Sequence, residues 1–329
     1  MINKIKNDIK NNYKYYIKLI ILVLILTIRF DYNIYSPGGI ENLNDRIIVE
    51  NAYPYKGSFN LTYVTSRRAT IPTIILSYII PSCDIVSIDE QRIEEESEED
   101  IIERNKIYLK ETSYDAIIAA YKEANLAYSI DSIDVTVTYV FDSSISNLKV
   151  GDIIKEVDGI KINNFEELSK IINEHKENDK INIKVIRKEK EKNVDATLHK
   201  EEDKILIGVT LAEIKNIGTK NKIEYVFKNN ESGASRGLLC ALDIYNKVTE
   251  KDITKGKKIS GTGSIDENGI IGKISGVKYK LSGAVKNKSD IFIVPKDNYE
   301  EAIKEKEKNN YDIEIIYGET LKEVIQKLK

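Results

Sequence analysis

The chain has 329 residues, 41% apolar and 31% charged, enough for a sizeable core and two or three domains. A net charge of -3, with no basic stripe interleaved with aromatics, excludes a general nucleic-acid binder. Two distant cysteines, Cys83 and Cys240, and two histidines give neither a disulfide framework nor metal-ligand spacing, so no metal and no cofactor are expected.

Lys4, Lys6, Lys10, Lys14 and Lys18 precede an apolar run, Leu19–Ile28 (LIILVLILTI). A membrane span needs roughly 20 apolar residues. Lys18 and Arg29 can snorkel, and Tyr15, Tyr16 and Tyr32 suit the interface. Residues 15–30 are therefore expected to be a transmembrane signal anchor, with a cleaved signal peptide as the alternative. The following RFDYNIY offers no small-x-small cleavage site, which favours the anchor. The lysine excess puts residues 1–14 in the cytoplasm and everything after Phe30 outside, on a single-pass protein of the cell membrane. Residues 31–45, with Pro37-Gly38-Gly39, read as a linker. Residues 46–126 open on strand-like alternation from Arg46 to Ser66, with Phe59, Leu61 and Tyr63 at period two. They pass through an acidic run, Glu94–Asp100, and end in an amphipathic helix over Thr112–Leu126.

Residues 127–200 form a unit. A strand over Val135–Phe141 leads into LKVGDIIKEVDGIKI. A helix opened by Asn164, with Glu167 as capping partner, and a strand over Ile181–Arg187 follow. The phrase L-x-x-G-D-x-I-x-x-V-D-G resembles a PDZ domain. That resemblance implies capture of extended peptides by strand addition, with the carboxylate-binding loop near Tyr128–Asp134.

Residues 201–329 alternate strand and helix. Strands are expected at Ile205–Leu211, Ile223–Phe227, Ile259–Ile265, Ile291–Val294 and Ile313–Tyr317. Helices are expected at Arg236–Lys247, Val277–Lys286, Tyr299–Lys308 and Leu321–Leu328. An α/β or α+β domain results.

Within that region, Glu231–Gly237 reads ESGASRG and contains Gly-x-Ser-x-Gly. Ser235 stands before a helix whose unpaired N–H groups suit an oxyanion. Gly233 and Gly237 permit the tight turn and close approach of a substrate. No histidine follows Ser235, which breaks the α/β-hydrolase order. His175 and His199 lie earlier, in what reads as another module. A lysine of lowered pKa is the remaining general base. Lys280 has the best context, on an otherwise apolar helix face with Val277, Leu281 and Ala284, and Lys278 and Lys273 are the alternatives.

The ordered set resembles the proteolytic domain of Lon peptidases: the serine turn, the Thr262-Gly263 strand, the IGKISGVKYK segment and IFIVP. The resemblance implies a Ser235–Lys280 dyad, with Thr262 able to hydrogen-bond the lysine. The whole chain resembles bacterial PDZ-containing, Lon-like, membrane-anchored peptidases. It implies an α+β fold in which residues 46–126 belong with the catalytic region of 201–329, a PDZ domain is inserted between them, and a transmembrane helix leads. It also implies peptide or unfolded-protein substrates and, from the family, a hexameric homo-oligomer. Ala234 and Arg236 stand where that family has proline and alanine. Arg236 assists an acidic substrate, or depresses the Lys280 pKa, or crowds the oxyanion site. The latter would leave a non-catalytic, membrane-tethered peptide-binding adaptor. No Gly-x-x-x-x-Gly-Lys-[Ser/Thr] loop occurs, so ATP-driven unfolding is not expected.

Overall fold

The computed structural model describes residues 9–80, 82–88, 90, 96–226, 228, 231 and 233–329. Residues 1–8 of the expected tail, Glu94 and Glu95 of the acidic run, and Phe227 of one expected strand lie outside the described residues, as does Ser232 of the serine motif.

The first helix, α1 (Tyr13–Thr27), is followed almost at once by β1 (Arg29–Asn42). The expected anchor over 15–30 therefore needs correction. Its helix has 15 residues, about 22 Å at 1.5 Å per residue, short of a hydrocarbon core of about 30 Å. No helix among the described residues is long and apolar enough to cross a membrane. The linker expected over 31–45 is also corrected, because β1 runs through it. Pro37–Ile40 forms a bulge in the β1 ladder, which absorbs the proline that cannot donate to it. A Cβ at Gly38 would fall 2.3 Å from Tyr63 O, so the glycine lets the two strands close together.

Next come β2 (Ile47–Val49), β3 (Ser58–Thr70), α2 (Ile71–Ile79), β4 (Asp84–Ser87) and α3 (Glu98–Glu123). Helix α3 starts well before Thr112 because Ser97 caps it, its Oγ accepting from Asp100 N at 3.1 Å. Glu98, Glu99 and Asp100 lie in the first turn, at the positive end of the helix dipole.

The second module runs from β5 (Tyr128–Val140) through β6 (Ile145–Ser146), β7 (Ile153–Val157), β8 (Ile160–Lys161) and α4 (Phe165–Asn173). It continues through β9 (Lys180–Arg187), β10 (Lys190–Thr197), β11 (His199–Glu201) and β12 (Lys204–Leu206) to β13 (Val209–Thr219). Its sheet order is β13-β5-β7-β9-β10-β6. Asn164 caps α4 through Glu167 N at 2.8 Å. Asp158 (φ 48°) and Gly159 (φ 80°) make the turn between β7 and β8. β13 pairs with β5 from Val209↔Val140 to Thr219↔Tyr128, so this module reaches well beyond residue 200.

The chain then forms β14 (Ile223–Tyr225), α5 (Gly237–Val248), β15 (Lys258–Gly261), β16 (Ser264–Ile265), β17 (Ile271–Gly272) and α6 (Val277–Lys286). It ends in β18 (Ile291–Pro295), α7 (Tyr299–Lys308), β19 (Glu314–Gly318) and α8 (Leu321–Leu328). A six-stranded mixed sheet runs β19-β18-β15-β3-β1-β4. Its β3 and β15 are parallel, with Phe59 beside Ile259. Strands from both ends of the sequence thus share one sheet. Helix α5 is buried along its whole length against α3 and this sheet. Its one charged pair, Asp243 and Lys247 (2.8 Å), is satisfied by Tyr55 OH and by Ile47 O.

Candidate active site

Ser235 sits in the turn that delivers the chain into α5. Gly233 enters it at φ 92°, and Gly233 N donates to Asn105 O on α3 (2.9 Å). Gly237 opens the helix where a side chain has no room: a Cβ there would fall 2.3 Å from Thr112 Oγ1 and 2.8 Å from Ile265 Cγ2. Thr112 Oγ1 also donates to Ala234 O (3.3 Å), so α3 props the turn from behind. The Gly237 and Leu238 amides donate to Ala234 O (3.2 Å) and Gly263 O (3.0 Å).

Thr262 is fully buried just after β15. Its Oγ1 donates to Ser235 O at 3.1 Å, and Gly263 N donates to the same carbonyl at 2.9 Å. Lys280 Nζ in turn donates to Thr262 Oγ1 at 3.0 Å. Lys280, Thr262 and the Ser235 backbone thus form one chain of hydrogen bonds. No direct bond joins Lys280 Nζ to Ser235 Oγ. Lys280 is positioned by α6, which Gly276 launches at φ 77°. The loop before α6 is pinned by Asn298, whose side chain bonds Ile274 N and Ile274 O at 2.9 Å each.

Burial pushes the Lys280 ammonium down from its ordinary 10.5 to about 8, against a smaller upward pull from Glu301. At pH 7 roughly a tenth of such a group is neutral, against about 0.03% for a free lysine. Lys278 instead pairs with Asp84.

Arg236 follows Ser235 as the N-cap residue of α5. Its side chain is mostly buried, and Nη1 pairs with Glu231 Oε2 at 3.1 Å. Arg46 closes on the same carboxylate and on Glu41 at 3.4 Å. Burial lowers the guanidinium pKa, opposed by the nearby Cys240 and Glu41. The sequence analysis did not single out Glu231, which both arginines share and which stands five residues before Arg236 in the same motif.

His175 and His199 both belong to the second module. His175 Nδ1 bonds Ile171 O (2.9 Å), and its Nε2 lies 3.3 Å from Asp158. His199 lines an apolar cleft of about 460 Å³ between α4 and the chain at 205–211, with Phe165, Leu168, Ile172 and Leu211. β13 ends its sheet and so has one edge without a strand partner among the described residues. The carboxylate loop expected at Tyr128–Asp134 needs correction: those residues are strand, paired with β13. The cleft lies at Ile205–Leu211 because the module's last strand folds back beside its first.

Two segments match known families. Residues 110–198 match the PDZ domain, and residues 228–329 match the C-terminal proteolytic domain of Lon protease (S16). Among solved structures, the chain is similar to the PDZ domain of the SdrC-like protein of Listeria monocytogenes, at 27% identity. That match covers 25% of this chain and 90% of the other, with a TM-score of 0.22. A solution structure from Geobacillus thermodenitrificans is 27% identical over 23% of this chain and 94% of its own, with a TM-score of 0.22. The PDZ domain of the Listeria innocua SdrC-like protein is 24% identical over 24% and 92%, with a TM-score of 0.23. No curated protein matches the chain.

Proposed function

From a chain that joins a PDZ domain to a Lon-type proteolytic domain, we infer a membrane-associated, ATP-independent serine endopeptidase whose nucleophile is Ser235 and whose general base is Lys280. The observation that carries this reading is the buried chain Lys280 Nζ–Thr262 Oγ1–Ser235 O. Thr262 spends its one hydroxyl proton on Ser235 O, so it can only accept from Lys280. A neutral Lys280 amine that donates one N–H to Thr262 keeps its lone pair for the Ser235 hydroxyl. A side-chain rotation of Ser235 or Lys280 completes that contact, in the way catalytic hydrogen bonds tighten on substrate binding.

Lys280 takes the Ser235 proton as Oγ attacks the peptide carbonyl. The resulting oxyanion draws on the Ser235 amide, because those of Gly237 and Leu238 are already committed. The lysine then gives its proton to the leaving amine. Water, deprotonated by the same lysine, releases the acyl group. The cleft between α4 and β13 suits an extended, flexible peptide added at the strand edge. With no nucleotide-binding loop in the sequence, substrates are peptides or already unfolded segments.

The test uses the full chain with an unfolded protein substrate and a serine-directed fluorophosphonate. Cleavage and labelling at Ser235 are expected, both lost in Ser235→Ala and cleavage lost in Lys280→Ala. A protein that binds peptide, takes no label and cleaves nothing is an adaptor instead.

A further inference from the structure

Helix α2 is apolar, and no described part of the chain buries it. Its sequence, IPTIILSYI, carries no charge, and none of its residues is buried. Tyr78 is 82% exposed, Ile79 70% and Ile75 56%. The helix is held by local signals, Pro72 in its first turn and a Thr70/Thr73 capping box, rather than by a core. A contiguous apolar surface of this kind on a folded protein marks an interaction site.

Its neighbour identifies the partner. β1 and β3 are antiparallel, and Arg29 pairs with Thr70. Helix α1 runs into β1 and α2 leaves β3, so both leave the same end of one hairpin, and they touch. Helix α1 also buries none of its residues. Exposed cations stand at this end of the hairpin, Arg29 and Arg67, and along α1, Lys14 and Lys18. Two acids near this end, Asp31 and Glu98, both pair with Arg68, at 2.9 Å each. Tyr13 and Tyr15 on α1, Tyr32 on β1 and Tyr78 on α2 are exposed as well. Apolar helices flanked by cations and tyrosines match the profile of a bilayer interface. A second copy of the chain would bring the same cations face to face.

We propose that α2 is a second membrane-seated element, inserting Ile75, Leu76, Tyr78 and Ile79 into one leaflet of an anionic phospholipid bilayer beside α1. The two helices form a foot under the six-stranded sheet, and neither needs to cross the membrane. The proposal does not depend on Ser235 being a nucleophile.

The sequence contains no tryptophan. Tyr78→Trp in the full chain therefore gives a single indole reporter at an exposed site. With vesicles of phosphatidylglycerol and phosphatidylcholine, its emission should shift to the blue and be quenched by acyl-chain bromine. Ile75→Glu/Ile79→Glu should weaken vesicle flotation at least tenfold, with thermal unfolding and cleavage of a soluble peptide unchanged. An indole that stays open to aqueous iodide while the protein floats with vesicles overturns the proposal. So does a blue shift that appears without lipid and tracks protein concentration, which would make the surface a self-association face.

Discussion

Replacing Lys280 with methionine keeps most of the stem and removes the buried amine. A lysine moved from 10.5 to about 8 carries about 3 kcal/mol against its charged form in the fold. The folded pKa lies below the unfolded one. Above the unfolded pKa the amine is neutral in both states and costs nothing. As pH falls through the window between 10.5 and 8 the native protein loses this stability, and below it the loss is complete. Lys280→Met escapes the penalty. Losing the bond to Thr262 adds a pH-independent offset of about 1 kcal/mol in the opposite direction. The stability difference between variant and wild type should therefore shrink by about 2–3 kcal/mol between pH 7 and pH 10. Urea unfolding of both proteins at the two pH values measures it. A parallel profile of kcat/KM on a flexible peptide should rise with an apparent pKa near 8, and Lys280→Met should be inactive. A stability difference that does not move with pH, or a rate still climbing past pH 10, would refute a buried, depressed lysine as the base.

Gly237→Ala forces a methyl onto Thr112 Oγ1 and Ile265, and should cost about 1–3 kcal/mol in thermal unfolding while lowering kcat more than it raises KM. Arg236→Ala leaves Glu231 still paired with Arg46; a loss of about 1–3 kcal/mol is expected, with peptide turnover kept within a few-fold. Loss of turnover with the fold intact would restore Arg236 to the reaction. Glu111 and Asp115 are pushed by burial to about 7 and about 6, beside Lys215 of β13. A carboxyl raised in this way is most favourable to the fold below its ordinary 4.5, and that stability is lost as pH rises through about 7. Glu111→Gln should therefore stabilise by about 1–2 kcal/mol at pH 8, after allowance for solvent screening, and change little at pH 4. Urea midpoints at the two pH values decide it.

What the sequence displayed was mostly local. The cap at Asn164 and the apolar spacing of Val277–Lys286 are read from a few adjacent residues, and the helices begin where those signals stand. Ser235, Thr262 and Lys280 were legible as ordered motifs, and the structure adds the hydrogen bonds that run through Thr262. What depended on distant partners was hidden. Pro37-Gly38-Gly39 carries every mark of a linker, and only Tyr63 on the facing strand makes it a bulge. The apolar cleft beside α4 was not legible because part of its wall comes from β13, far along the chain. The ion pair of Arg236 with Glu231 was not read from the sequence either, although the two residues stand five positions apart.

The pairing of β3 with β15 also bears on how the chain assembles. Ser58 meets Lys258, so β3 is synthesised long before its neighbour exists. Contacts this distant in sequence slow folding. The inserted module offers a shortcut, because its end strands pair Tyr128 with Thr219 and bring the chain's entry and exit together. Once that module has closed, the loop still to be drawn shut between β3 and β15 is far shorter, and closure entropy falls accordingly. The insert therefore acts as a folding clamp for the sheet that carries Thr262. A fragment made from residues 228–329 alone lacks both the clamp and β3, and its β15 would present a bare edge open to aggregation.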